Sequence, residues 1–191
     1  MPSFSISIER LIEDICIHSP SLKHIKPKHI IVSCVTSDRK GKYGTLAELY
    51  PMKYDNAHYS MRDVKQKNIY IYRTPKLEIK RREILYILFL KMPRFGNLSY
   101  REKLETLFHE LYHIHPKGDG RLRIIHPRYT FHGPSLKKYD HVISKLVDDY
   151  LKRKNIYPKF LGLSYGQLKA AAFEFRYIAE PTEKVTIVQR L

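Results

Sequence analysis

The sequence predicts an α+β fold: a small mixed or antiparallel sheet packed on one central helix, with further helices around it. Three observations carry this. Short runs rich in β-branched and aromatic residues, at 29–35, 68–73 and 84–92, have strand character. Three segments, near 7–17, 99–115 and 135–153, repeat apolar residues at helical spacing. The middle one contains Phe108-His109-Glu110-Leu111-Tyr112-His113, in which two histidines four apart fall on one helical face.

Taken in order, Ile8, Leu11, Ile12 and Ile15 make a first amphipathic helix from about Ser7 to Ile17, which Ser19-Pro20 breaks. His29 to Val35 reads as a buried strand, residues 37–44 as a basic turn, and Leu46 to Met52 as a second strand. Tyr54 to Lys67 is polar and unpatterned and reads as a loop; Asn68 to Arg73 reads as a third strand. The run Ile84 to Leu90 is ambiguous by periodicity, but its β-branched and aromatic content and the stop at Pro93 favour a strand. Its place just before the motif helix suggests an edge along which a bound peptide pairs. Ser99 followed by Glu102 is a capping-box start for that helix, with Leu104, Leu107, Phe108 and Leu111 on its apolar face and an end near His115-Pro116. Leu136, Tyr139, Ile143, Leu146, Val147 and Tyr150 line one face of a third helix, closed by Lys152-Arg153-Lys154 in favour of the helix dipole. A short helix near Leu168 to Tyr177 and a strand at Val185 to Val188 complete the reading.

His-Glu-x-x-His on a helix has a chemical logic. Two imidazoles one turn apart can share a metal ion, and Glu110 stands beside the same face without being a ligand. It can then take a proton from an activated water. A catalytic zinc needs a third protein ligand. No Glu occurs between Ile114 and Phe173, which removes a downstream helical Glu of the thermolysin kind. The metzincin extension fails because Pro116 and Asp119 stand at its Gly and His positions, leaving Asp119 as a lesser candidate. His126, His132, Asp140 and His141 remain. His132 is favoured, since it precedes Gly133 on a loop that leads into the third helix and can fold back over the first histidines. Asp140 and His141 stand as alternative ligands, and Asp140 also as a partner that orients a ligand imidazole.

Composition bounds the class. Among 191 residues, 35 Lys plus Arg against 19 Asp plus Glu give +16, which favours an anionic partner such as DNA. Candidate contacts are Lys80-Arg81-Arg82, Lys137-Lys138 and Lys152-Arg153-Lys154, without a helix-turn-helix, finger or RNA-motif signature. The longest apolar run, Ile84 to Leu90, is far short of a membrane span. With no basic stretch followed by an apolar one at the N-terminus, and two cysteines that form no framework, a cytoplasmic location is expected.

The stretch Leu104 to Ile114, with Asp119-Gly120, His132-Gly133 and Lys138-Tyr139-Asp140, resembles a metallopeptidase family of phages, bacteria and archaea. The His132-Gly133 step is similar to that of SprT-like zincins. The resemblance covers residues 83–151 and implies a zincin-like fold, Zn2+ as cofactor, His109, His113 and His132 as its ligands, and Glu110 as the catalytic acid/base. A zincin-like domain over 1–153 with a C-terminal extension, 154–191, packed on it is therefore expected. The implied function is a zinc-dependent peptidase acting on peptides or proteins. The alternative is a basic nucleic-acid-associated protein, either a protease for DNA-bound proteins or an inactive DNA-binding zincin.

Overall fold

Continuous apolar runs belong in the middle of sheets, because only a central strand is covered on both faces. The computed structural model bears this out; it describes residues 1–36, 45–65, 68–125, 128, 132–153 and 158–190. Its elements are α1 (Phe4–His18), β1 (Ile30–Thr36), β2 (Ala47–Pro51), β3 (Ser60–Lys65), β4 (Asn68–Arg73), β5 (Leu77–Ile79) and β6 (Arg82–Ile84), then β7 (Tyr86–Met92), α2 (Tyr100–Tyr112), α3 (Leu136–Arg153), α4 (Tyr165–Ala170) and β8 (Lys184–Arg190). The basic turn expected at 37–44 lies outside the described residues.

β7 is the centre of a mixed sheet ordered β1-β7-β2, parallel to β1 and antiparallel to β2. Its alternate residues feed two clusters. Tyr86, Leu88 and Leu90 join Ile30 and Val32 in the main core with α1, α2 and α3. Ile87 and Phe89 join Ile31, Ile84 and Met52 on the opposite face, under Leu77, Ile79 and Ile178. The run before the motif helix is thus a strand, but not the edge: that role falls to β2, whose polar Glu48 and shorter apolar pattern hid it.

A second sheet, β3-β4-β8, is antiparallel throughout. β3 corrects the loop expected at 54–67. Its sequence, Ser60-Met61-Arg62-Asp63-Val64-Lys65, is largely solvent-facing, so it carries no burial pattern, and the ladder to β4 makes it a strand. β5 and β6 form a hairpin whose two turn residues, Lys80 and Arg81, both have positive φ, as a tight primed turn requires.

Residues 174–178 stitch the chain's end to its start. The Phe4 N–H donates to the Glu174 carbonyl and the Glu174 N–H to the Pro2 carbonyl, a bridge centred on Ser3; Arg176 binds Glu9 and the Val32 carbonyl, and the Ile178 N–H donates to Ser33. The short helix also differs from expectation. α4 begins at Tyr165, where Ser164 and Gln167 form a capping box that the sequence displays plainly. It ends at Ala170, before Ala172 takes a positive φ. Among the described residues no helix is long and apolar enough to cross a membrane.

Candidate metal centre

α2 starts where the capping box predicts. Ser99 Oγ accepts from Glu102 N–H, and Glu102 reaches back to the Ser99 N–H at 2.8 Å. The helix is anchored along its length by Leu104, Leu107, Phe108 and Leu111, all buried. Lys103 is buried too, its ammonium donating to the Leu161 and Leu163 carbonyls at 2.9 and 2.6 Å. The helix ends at Tyr112 rather than near His115. His113 is its C-cap residue, and Ile114 already bridges to Leu122 while Arg123 N–H donates to the His113 carbonyl at 2.7 Å. The chain doubles back through Gly118 and Gly120, both at positive φ, so the second histidine is fixed by a helix end and a strand-like return together.

His132 arrives from the loop before α3. Gly133 follows it at φ 67°, a conformation costly for other residues. The three imidazole rings of His109, His113 and His132 stand with every pair of centroids 4.9 Å apart. One nitrogen of each lies within 4.8 Å of the others. His109 Nε2 and His132 Nε2 are 3.0 Å apart. Two nitrogens bound to one tetrahedral zinc would lie roughly 3.4 Å apart, so the rings converge about as a shared ion requires. Burial first, then the neighbouring His132, pushes His109 down to about 4; burial first, then His109, His132 and Arg123, pushes His113 down to about 3. Both imidazoles are then neutral near pH 7, the form that donates a lone pair.

Glu110 is 9% exposed. Its Oε2 accepts the Leu49 N–H of β2 at 2.9 Å, which ties the motif helix to the sheet edge. Burial pushes its carboxyl up to about 7, against the pull of that hydrogen bond. The sequence gives no sign of this contact, because the two residues are 61 apart. Tyr139 was also indistinguishable from the other tyrosines. Its ring stacks on His113 at 5.6 Å and 14° and touches His109 and His132 at 4.9 and 5.0 Å, while its hydroxyl donates to the His109 carbonyl at 3.2 Å. The ring therefore braces all three imidazoles.

The other candidates lie apart from this cluster. Asp119 is held by Arg121 at 2.7 Å beyond the end of α2. Asp140 and His141 are exposed on the first turns of α3 and line a cavity of about 870 Å³ shared with His109 and Glu110. Leu136, expected in the core, is 57% exposed and lines the same cavity. His126 and Lys154 lie outside the described residues. Lys80, Arg81 and Arg82 project from the β5–β6 hairpin, and Lys152 and Arg153 from the end of α3, both well removed in sequence from the histidines.

A family model described as "Putative phage metallopeptidase" matches residues 5–172. The chain belongs to this phage metallopeptidase family. No curated protein and no solved structure matches it. Membership implies a metal ion, and the converging histidines offer this metallopeptidase chain a place for one. The fold is zincin-like: a helix bearing His-Glu-x-x-His lies against the edge of a small mixed sheet, and a third His returns to it.

Proposed function

We propose that the chain is a zinc-dependent peptidase in which His109, His113 and His132 hold the metal and Glu110 moves the proton. The observation that carries this reading is the convergence of three imidazole nitrogens within 4.8 Å beside a buried carboxylate. A three-nitrogen donor set with room for a further ligand suits a catalytic zinc. Bound there, zinc would supply Lewis acidity toward water and a carbonyl oxygen.

The chain's own residues do the rest. Glu110, pushed up to about 7, is matched to accepting a proton from the attacking water and delivering it to the leaving amine. The Leu49 N–H fixes one of its oxygens, leaving the other for that exchange. Tyr139 keeps the imidazoles in place. A substrate in extended form would lie along β2, whose Ala47 lines the cavity, and add itself to the sheet.

The test is metal content by mass spectrometry beside peptide hydrolysis. Wild type should hold one zinc per chain, His132→Ala should lose most of it, and Glu110→Gln should keep the metal while losing hydrolysis by about a thousandfold or more. Full hydrolysis by Glu110→Gln would sink the mechanism.

The exposed cations of the β5–β6 hairpin and the +16 charge favour a second role, contact with DNA or another polyanion. Affinity for a random duplex should fall steeply with salt. Absence of binding at low salt would remove this role.

A further inference from the structure

Resting on the peptidase reading, we infer that the groove beside the histidines selects peptides carrying a lysine or arginine side chain close to the reacting bond. The cavity of about 870 Å³ that includes His109 and Glu110 has two kinds of wall. Leu46, Leu98, Leu136 and Ile143 give it apolar sides. Leu136 is 57% exposed on a helix whose Tyr139, Ile143, Val147 and Tyr150 are buried, so a large apolar side chain is left facing the groove rather than the core. Glu102, Glu105 and Asp140 supply carboxylates.

Charge accounting decides which of these acids can meet a ligand. Glu105 is engaged by Arg101 at 3.0 Å and by the Ser144 hydroxyl at 3.2 Å. Glu102 caps its own helix, and the Ser99 hydroxyl and N–H hold its carboxyl below the usual range, so it stays ionised. Among the described residues Asp140 is in no ion pair. Among the described residues that line it, Lys137 is the one lysine or arginine and offsets one charge. Glu110, nine-tenths buried, adds a further carboxyl to the same cavity, with no hydrogen bond to Oε1 among the described residues.

A side chain that suits this groove has an apolar stem and a cationic head. Lysine and arginine lay their methylenes along leucines while the head reaches carboxylates. An acidic side chain meets like charge, and an apolar one leaves Asp140 partly desolvated without an ionic partner. The inference is sharp because the chain as a whole is +16 and its long-range field favours anionic peptides. Local and global electrostatics predict opposite preferences.

The experiment uses the zinc-loaded, full-length Glu110→Gln protein, so that binding is read without cleavage and the preference is that of the remaining wall acids, Asp140 above all. Fluorescein-labelled hexapeptides of alanine, glycine and serine, differing only by Lys, Arg, norleucine or Glu at one position, are titrated by fluorescence anisotropy. Lys and Arg peptides should bind about tenfold tighter than norleucine, and Glu weakest, a difference of one well-placed charge contact. Adding Asp140→Asn should shrink the Lys-to-norleucine ratio to about twofold with norleucine affinity unchanged, and Leu136→Ser should weaken Lys and norleucine peptides alike. Equal affinities for all four, tighter binding of Glu than Lys, or no binding of any peptide would each overturn the inference. If wild type binds the Lys peptide selectively but leaves it uncut, the peptidase reading fails and the groove's preference stands.

Discussion

The two three-stranded sheets of this molecule are built by opposite rules. In β1-β7-β2, the five residues Tyr86 to Leu90 are all buried and serve two cores at once. In β3-β4-β8, Val64, Val185, Ile187 and Val188 are each more than half exposed. The second sheet is held by its backbone ladders and by surface pairs such as Tyr70 with Tyr72 and Lys65 over Tyr72. Among the described residues the first sheet alone reaches the candidate metal centre, through the Leu49 N–H on Glu110. Stability and site geometry are therefore concentrated in one sheet, and the other is free to vary without moving the histidines.

The comparison can be broken by mutation. Leu88→Ala, in the fully covered central strand, should cost about 3 kcal/mol by denaturant titration, from lost transfer energy and the cavity left behind. A cost near zero would mean that β7 is not the keystone. Lys103→Met tests the support of α2 from below. It leaves the Leu161 and Leu163 carbonyls unpaired and should cost about 1–2 kcal/mol near pH 7. Its pH dependence sharpens the point. Burial pushes Lys103 down to about 8, so between about 8 and 10.4 the unfolded chain holds more protons at this site than the folded one. Folding stability from Lys103 therefore rises with pH across that window, and the gap between wild type and Lys103→Met should widen from pH 8 to pH 10 in thermal melts. A constant gap would place the ammonium in solvent. Ile187→Thr, on the open sheet at 59% exposure, should change stability by less than about 0.5 kcal/mol. A loss of several kcal/mol there would show that the second sheet shares the core after all.

How much was legible follows from the range of each interaction. The α2 start was readable because Ser99 and Glu102 satisfy each other three residues apart. α1 and α3 showed their buried faces, apart from Leu136, whose place in the first turn puts it against the groove rather than the core. β3 was not readable, since an exposed strand needs no apolar pattern and is defined by β4. The edge strand was misassigned for a related reason: a run buried on both faces belongs to the centre, and only the pairing order shows that β2 is outside it. The end of α2 came earlier than expected because the pairing of His113 and Ile114 with the 122–123 return overrides the helical pattern.

By itself, the sequence determined that His109 and His113 share a helical face with Glu110 beside it, since a spacing of four is a property of the α-helix and needs nothing else. It also determined the +16 charge and the absence of any long apolar span. The sequence favoured His132 as the third member, and the tertiary structure brings it to the pair; tertiary structure alone decided that Tyr139 braces all three, that Leu49 of β2 holds Glu110, and that acids gather at a groove on a basic protein. Those contacts join residues from 7 to 61 positions apart through loops and strand order. No local periodicity encodes them, because each depends on how separate apolar faces find one common core.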